Sequence, residues 1–310
     1  MTVDLWIPAG TGGDLRALLP AETAVHEVPM TGELPPHLGH ADILVTDFRW
    51  HRAIEAIPRL EGLRVLQSLS AGVDAIAGRV PPHITLCDAA GVHDIPVAAW
   101  VIAAVLASRH RFPEYVTAQA AGHWLDQGLD LTGGGADLEG ATALIVGHGS
   151  IGRAVEKRLR PFGVEFLRVA RTARPGVSTV ADLAALVPRA DIVIVLVPLT
   201  AETRGLVDRE FLAAMRRGAL LVNAARGAVV DTAALVEALR ARRIVAALDV
   251  TDPEPLPDGH PLWSCPGLLI TPHVAGAVLA LPERAWRLVS DQVGRYLRGE
   301  PLLNVVVDGY

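Results

Sequence analysis

The chain has 310 residues, 51% hydrophobic and 20% charged, which is enough apolar material for two packed cores and excludes a disordered chain. Its formal net charge of -6, with arginines scattered among acids, excludes a broad nucleic-acid or anionic-membrane surface but leaves room for a local arginine pocket. Cys87 and Cys265 are the two cysteines, far apart in sequence, so neither a disulfide framework nor a cysteine metal site is expected, and a reducing cytoplasm fits.

Residues 1–10 carry Asp4 and no basic stretch leading into a long apolar run, so no export signal is expected there. Short apolar runs then alternate with helical patterns, which predicts an α/β fold with parallel sheets. Strands are expected at 3–7, 43–46, 65–68 and 84–87, with helices at 15–19 and 53–57 between them. The apolar run at 95–107 is shorter than the ~20 residues of a membrane span and predicts a helix buried in protein, to about 108. A second helix is expected at 114–122, and the glycine-rich loop 132–135 leads into a strand at 143–146.

A second set of strands is expected at 165–169, 192–196, 220–223, 246–250 and 268–271. Helices at 151–160, 180–187, 209–214 and 232–240 lie between them, and a last helix at 283–298 precedes a short strand at 302–307. The result is two doubly wound parallel-sheet units. The boundaries fall at residues 1–94, completed by 281–310, and 95–280.

Gly147-His148-Gly149-Ser150-Ile151-Gly152 is the strongest local motif. It follows a predicted strand and opens a predicted helix, the context a dinucleotide loop requires. Gly147 permits the tight turn, Gly149 lets a pyrophosphate approach the backbone, and Gly152 lets helix and strand pack closely. Free amides at Ser150 and Ile151 would hold the phosphates; His148 is expected only to pack. At the end of the next strand, an NAD site normally has an acid for the ribose 2′-hydroxyl. Here the chain reads Ala170-Arg171-Thr172-Ala173-Arg174, and arginine suits a 2′-phosphate. NADP is therefore the preferred cofactor, with NAD the second choice. Gly10-Thr11-Gly12-Gly13 lacks the Lys-Ser/Thr ending of a P-loop and reads as a turn.

Three further strand ends offer chemistry: Arg226 after 220–223, Glu254 in a proline-flanked turn after 246–250, and His273 after 268–271. Ligands bind beyond the carboxyl ends of strands in open parallel sheets. An arginine, a histidine and a carboxylate are an anion anchor, a proton donor and a group to orient it. His37, His40 and His51 lack a close ligand set, so no metal site is expected.

In this order the segments GHGSIG (147–152), VPLTAETRGLV (197–207), NAARGAVVD (223–231), LDVTDPEP (248–255) and TPHVAG (271–276) resemble the D-isomer-specific 2-hydroxyacid dehydrogenase family, and its glyoxylate/hydroxypyruvate reductases in particular. The resemblance covers nearly the whole chain. It implies two Rossmann-like domains with a cleft between them, a flavodoxin-like substrate domain over 1–94 and 281–310, a dinucleotide domain over 95–280, and usually a homodimer. It implies reduction of a 2-oxo acid to a (D)-2-hydroxy acid: Arg226 binding the carboxylate, His273 delivering the proton, and Glu254 holding the imidazole and favouring its protonated form. Asp249 would hold the nicotinamide carboxamide, helped by main chain at Ala224 and Ala225. Val197, Pro198 and Thr203 would line the cofactor groove, and the amides of Ser70, Ala71 and Gly72 would bind the substrate carboxylate.

Glu254 with His273 sets the chain apart from formate dehydrogenases, which pair Gln with His. Two departures concern the substrate side: apolar Gly276-Ala277-Val278-Leu279-Ala280 follows His273, and Ala99 stands where many relatives carry Glu. Trp50 and His51 are candidates for a bulkier substrate pocket. A nucleotide-sensing corepressor and a phosphite dehydrogenase are the alternatives, since both occur on this scaffold. The chain's end at Tyr310 leaves no room for an added regulatory domain, which disfavours a feedback-regulated phosphoglycerate dehydrogenase.

Overall fold

The computed structural model describes residues 2–307, except 12, 30, 32, 47–56, 58–59 and 126–134. It divides into two compact units, Met1–His93 with Val278–Tyr310, and Asp94–Ala277.

In the first unit, β1 (Val3–Pro8), β2 (Thr23–Val28), β3 (Ile43–Thr46), β4 (Val65–Ser68) and β5 (Thr85–Cys87) form one parallel sheet in the order β2-β1-β3-β4-β5. That is the flavodoxin-like order. The inner strands β3 and β4 are buried throughout; each opens on apolar residues, and β4 ends in the buried polar pair Gln67-Ser68. β2 is an edge strand, mostly half-buried, and its mixed sequence TAVHEV escaped the sequence reading for that reason. The helix expected at 15–19 is a 3-10 helix, Gly13–Leu18. Of the helix expected at 53–57 only Ile57 is described, and Trp50, His51 and residues 132–134 also lie outside the described residues.

The second unit begins with two helices, α1 (Asp94–Arg109) and α2 (Phe112–Ala120). Six parallel strands follow: β6 (Thr142–Val146), β7 (Glu165–Val169), β8 (Ile192–Val195), β9 (Leu220–Asn223), β10 (Val245–Leu248) and β11 (Leu268–Ile270). Between them lie α3 (Ser150–Leu159), the single turn α4 (Leu183–Leu186), α5 (Arg209–Ala214) and α6 (Thr232–Arg240). The helix expected at 180–187 is broken into α4 and flanking 3-10 turns, where Pro188 denies the ladder a donor. The helices α5 and α6 start where expected because Asp208 and Asp231 cap them, accepting from the amides of Phe211 and Ala234.

Strand order here is β11-β10-β9-β8-β6-β7, and Ser178 adds a parallel bridge to Val169 on the outer side of β7. Counting that bridge as a vestigial strand gives the doubly wound dinucleotide order, whose direction reverses between β6 and β8. Val101, Val105, Val155 and Leu159 cover one sheet face, and Phe211, Leu212, Leu235 and Leu239 the other. Burying one such side chain contributes roughly 1.5–3 kcal/mol, so both sheets are held mainly by their faces.

The C-terminal helix α7 (Leu281–Arg298) returns to the first unit, burying Trp286, Val289 and Val293 against Val3, Leu5 and Ile7. Gln292 joins it to the sheet through a buried bond from its Nε2 to Gln67 Oε1 at 2.8 Å. The strand expected at 302–307 contracts to an antiparallel bridge between Cys87 and Val305. Among the described residues, no single helix is long and apolar enough to cross a membrane.

Candidate active site

The glycine loop sits at the strand reversal. Gly147 has φ +106°, and a Cβ there would lie 2.5 Å from the Leu196 carbonyl carbon and 2.7 Å from the Val197 amide nitrogen. The absence of a side chain is what lets the β6 and β8 ends come together. A Cβ on Gly152 would lie 2.5 Å from the Gly147 carbonyl oxygen, so this glycine closes helix onto strand. At Gly149 a Cβ would meet nothing within 4 Å, and no side chain caps α3. Open space over an uncapped helix start of ten residues is what a pyrophosphate needs. The Ser150 hydroxyl is turned to Asp94 Oδ2, which leaves its amide as the group offered to a phosphate.

Beyond β7, Ala170 is half-buried and donates its amide to Ser178, while Arg171, Thr172 and Arg174 are exposed. Arg174 folds back on the glycine loop. Its Nη2 donates to the His148 carbonyl at 2.7 Å and to His148 Nδ1 at 3.2 Å. On the β8 side, Val197 is buried and Pro198 exposed, and Thr203 donates its hydroxyl to the Pro198 carbonyl at 2.6 Å. Thr203 thus shapes the groove by locking the 198–203 turn.

Arg226, Glu254 and His273 follow the carboxyl ends of three adjacent strands, β9, β10 and β11. His273 Nδ1 and Glu254 Oε1 are 2.6 Å apart, and both side chains are about 40% exposed. Gly227 explains why the Arg226 loop can reach this turn: a Cβ there would lie 2.0 Å from the Thr251 carbonyl. Asn223 fixes the loop, accepting from the Ala225 amide and donating to the Arg226 carbonyl, each at 3.0 Å. Arg226 Nη1 donates to Ala225 O at 2.8 Å.

Asp249, 2% exposed, organises the His273 loop. Its Oδ1 accepts from Thr271 Oγ1 at 2.6 Å and the Val274 amide at 2.9 Å, and its Oδ2 from the Ala275 amide at 2.9 Å. The Asp249 carbonyl also accepts from the His273 amide at 2.7 Å, which holds His273 at a left-handed φ of +54°. The structural work of Asn223 and Asp249 was missed in the sequence. The available signal was a polar residue closing an otherwise apolar strand, as Asn223 does, or following one directly, as Asp249 does.

In the first unit, Ser70 is buried and its amide donates to Ser68 Oγ at 3.0 Å, while Gly72 N donates to Ser70 Oγ at 3.3 Å. Two of the three amides expected to bind substrate are therefore engaged within the loop. The Ala71 amide has no acceptor among the described residues.

These strand ends match a known family. The profile described as D-isomer specific 2-hydroxyacid dehydrogenase, NAD binding domain, matches residues 102–275. The chain belongs to this family. Membership makes it an NAD(P)-dependent oxidoreductase of the 2-hydroxyacid dehydrogenase type. A D-3-phosphoglycerate dehydrogenase of Methanocaldococcus jannaschii is 33% identical over 285 residues, 88% of this chain, and the match spans only 53% of that longer protein. A glyoxylate reductase of Thermofilum pendens is 36% identical over 266 residues, 83% of this chain and 78% of the relative. A solved D-isomer specific 2-hydroxyacid dehydrogenase of Xanthobacter autotrophicus, in complex with NADPH and MES, superposes with a TM-score of 0.86 at 30% identity, covering all of both chains. That structure thus shares the fold of this chain.

Proposed function

We propose that the chain reduces a 2-oxo acid to a D-2-hydroxy acid, with NADPH as the preferred reductant. The observation that carries the reaction is the Glu254–His273 pair. Glu254 occupies Nδ1, so Nε2 is the ring nitrogen left to serve a carbonyl oxygen. Bound NADPH supplies the hydride to the carbonyl carbon. His273 Nε2–H gives its proton to the oxygen, and the ring is left neutral with Nδ1–H still donated to Glu254. The planar guanidinium of Arg226 suits the substrate carboxylate, whose charge it neutralises beside the carbonyl.

The glycine loop and the uncapped start of α3 would hold the pyrophosphate. A carboxylate has about four lone-pair sites, so Asp249 retains room for a carboxamide donor besides its three bonds within the chain. Exposed Arg171 and Arg174 beyond Ala170 support the NADPH preference, as does the NADPH bound to the Xanthobacter relative. Glyoxylate, hydroxypyruvate and larger 2-oxo acids are the substrates proposed, the first in keeping with the Thermofilum relative.

Cofactor oxidation measured over a panel of 2-oxo acids, with NADPH and NADH in parallel, tests this reading. At least one acid should turn over, with a D product and a kcat/KM roughly tenfold higher for NADPH, as one charge-assisted contact supplies. Failure of every acid sinks the reductase assignment, and an NADH advantage overturns the nucleotide choice alone.

A further inference from the structure

The face of α3 turned to β7 carries a polar cluster that hydride transfer leaves unused. Glu156, 8% exposed, is its one acid. Arg168 grips it with two bonds, Nε to Oε2 at 2.6 Å and Nη2 to Oε1 at 2.7 Å, and Arg160 adds a third donor. The fourth donor is His148 Nε2, 2.8 Å from Glu156 Oε2. This bond fixes the tautomer of His148, because Nε2 must carry the proton and Nδ1 is left with a lone pair. Arg174 has only donors, and its Nη2 donates to that lone pair and to the His148 carbonyl.

The chain of bonds runs in one direction: Arg168 anchors Glu156, Glu156 sets the ring of His148, and the ring sets Arg174. The cluster opens into a cavity of about 440 Å³ lined by His148, Arg153, Glu156, Arg168 and Arg174. Arg174 Nε and Nη1 have no partner among the described residues, so part of its fork remains available. We infer that His148 and Glu156 are positioning residues that hold Arg174 for the 2′-phosphate of the cofactor, and thereby set the preference for NADPH over NADH. The inference rests on the NADPH reading above. It adds that the preference depends on a buried acid and a ring tautomer, not on exposed arginines alone.

The test compares kcat/KM for NADPH and NADH in the full chain and four variants. Arg174→Ala should lower the NADPH/NADH ratio by about tenfold, the worth of one charge-assisted contact. His148→Leu, which can neither donate to Glu156 nor accept from Arg174, should lower the ratio by about fivefold, through KM for NADPH and not through kcat. His148→Gln, whose amide donates with nitrogen and accepts with oxygen, should recover most of that loss. Should His148→Leu fail to fold, Glu156→Gln carries the test and should lower the ratio by about threefold, again through KM for NADPH. An unchanged ratio in His148→Leu and Glu156→Gln, with the expected loss in Arg174→Ala, overturns the relay and leaves the NADPH reading standing. Equal losses with both nucleotides overturn it too, since they would mean loop packing only. No effect in Arg174→Ala overturns the relay alone, whereas a wild-type ratio that favours NADH removes the NADPH reading and the relay together.

Discussion

Loops at the two ends of the second sheet's carboxyl edge are held in different ways. Beyond β9, β10 and β11, buried Asn223 and Asp249 turn inward and satisfy backbone amides, which shapes the loops that carry Arg226 and His273. Beyond β6 and β7, an ionic cluster around Glu156 sets the loop, and its arginines reach the surface. The first arrangement is fixed by main-chain hydrogen bonds that tolerate little displacement. The second relies on flexible side chains, whose pairing depends on protonation and salt. The first holds the proposed proton donor, where small displacements are costly; the second holds the groups proposed to select a nucleotide.

Removing chemistry without touching the scaffold should separate the two regions most sharply. His273→Ala should lower turnover by at least ~10²-fold, the usual worth of a general acid. With the side chain about 40% exposed, the melting temperature should move little. Glu254→Gln should cost less, on the order of tenfold in turnover, because its amide still bonds Nδ1 without the charge. The NADPH/NADH ratio should stay as in the wild type for both. A ratio that shifts with either variant would join the two regions functionally and break the comparison.

Asp249→Asn sharpens it from the scaffold side. The substitution keeps shape but turns one carboxylate oxygen into an NH2 group facing an amide of the Thr271–Ala275 loop. One buried donor then loses its acceptor, at a cost of about 1–3 kcal/mol. Stability and turnover should fall together, unlike in His273→Ala, where turnover alone falls. Thermal unfolding and steady-state kinetics on the same preparation check this; a fully stable Asp249→Asn protein would show that the loop is held by something else.

The strands of the second sheet and the glycine loop were legible in the sequence because inner parallel strands are mostly apolar runs and the loop follows directly on one. Arg226, Glu254 and His273 were legible because each stands a few residues past such a run. What the sequence hid were residues whose role depends on partners distant in the chain. Glu156 lies in the string Val155-Glu156-Lys157-Arg158, which reads as a solvated helix face, yet Arg168 on the next strand and His148 before the helix enclose it. Ser178 as a vestigial strand and β2 at the opposite edge of the other sheet escaped for a related reason, since edge pairing demands no apolar run. The expected packing role of His148 was incomplete, because its ring mediates between Glu156 and Arg174.

The smallest expected effect concerns acid stability at the ionic end. Hydrogen bonds from Arg168, with those from His148, outweigh burial and hold the Glu156 carboxyl at about 2, below the ordinary carboxylate value of about 4.5. Since the folded value is depressed, the contribution is complete above the ordinary value and is lost as pH falls from about 4.5 toward about 2. The groups facing Glu156 are Arg160 on its own side, Arg168 from β7 and His148 from the loop; burial lowers His148 as well, which leaves its ring neutral at pH 7. Glu156→Gln should therefore flatten the pH dependence of the melting temperature between about 4.5 and 2, by an amount worth roughly 2 kcal/mol or less. Parallel slopes for Glu156→Gln and the wild type would mean that Glu156 titrates alike in the folded and unfolded chain, and the ionic account of this end of the sheet would fall.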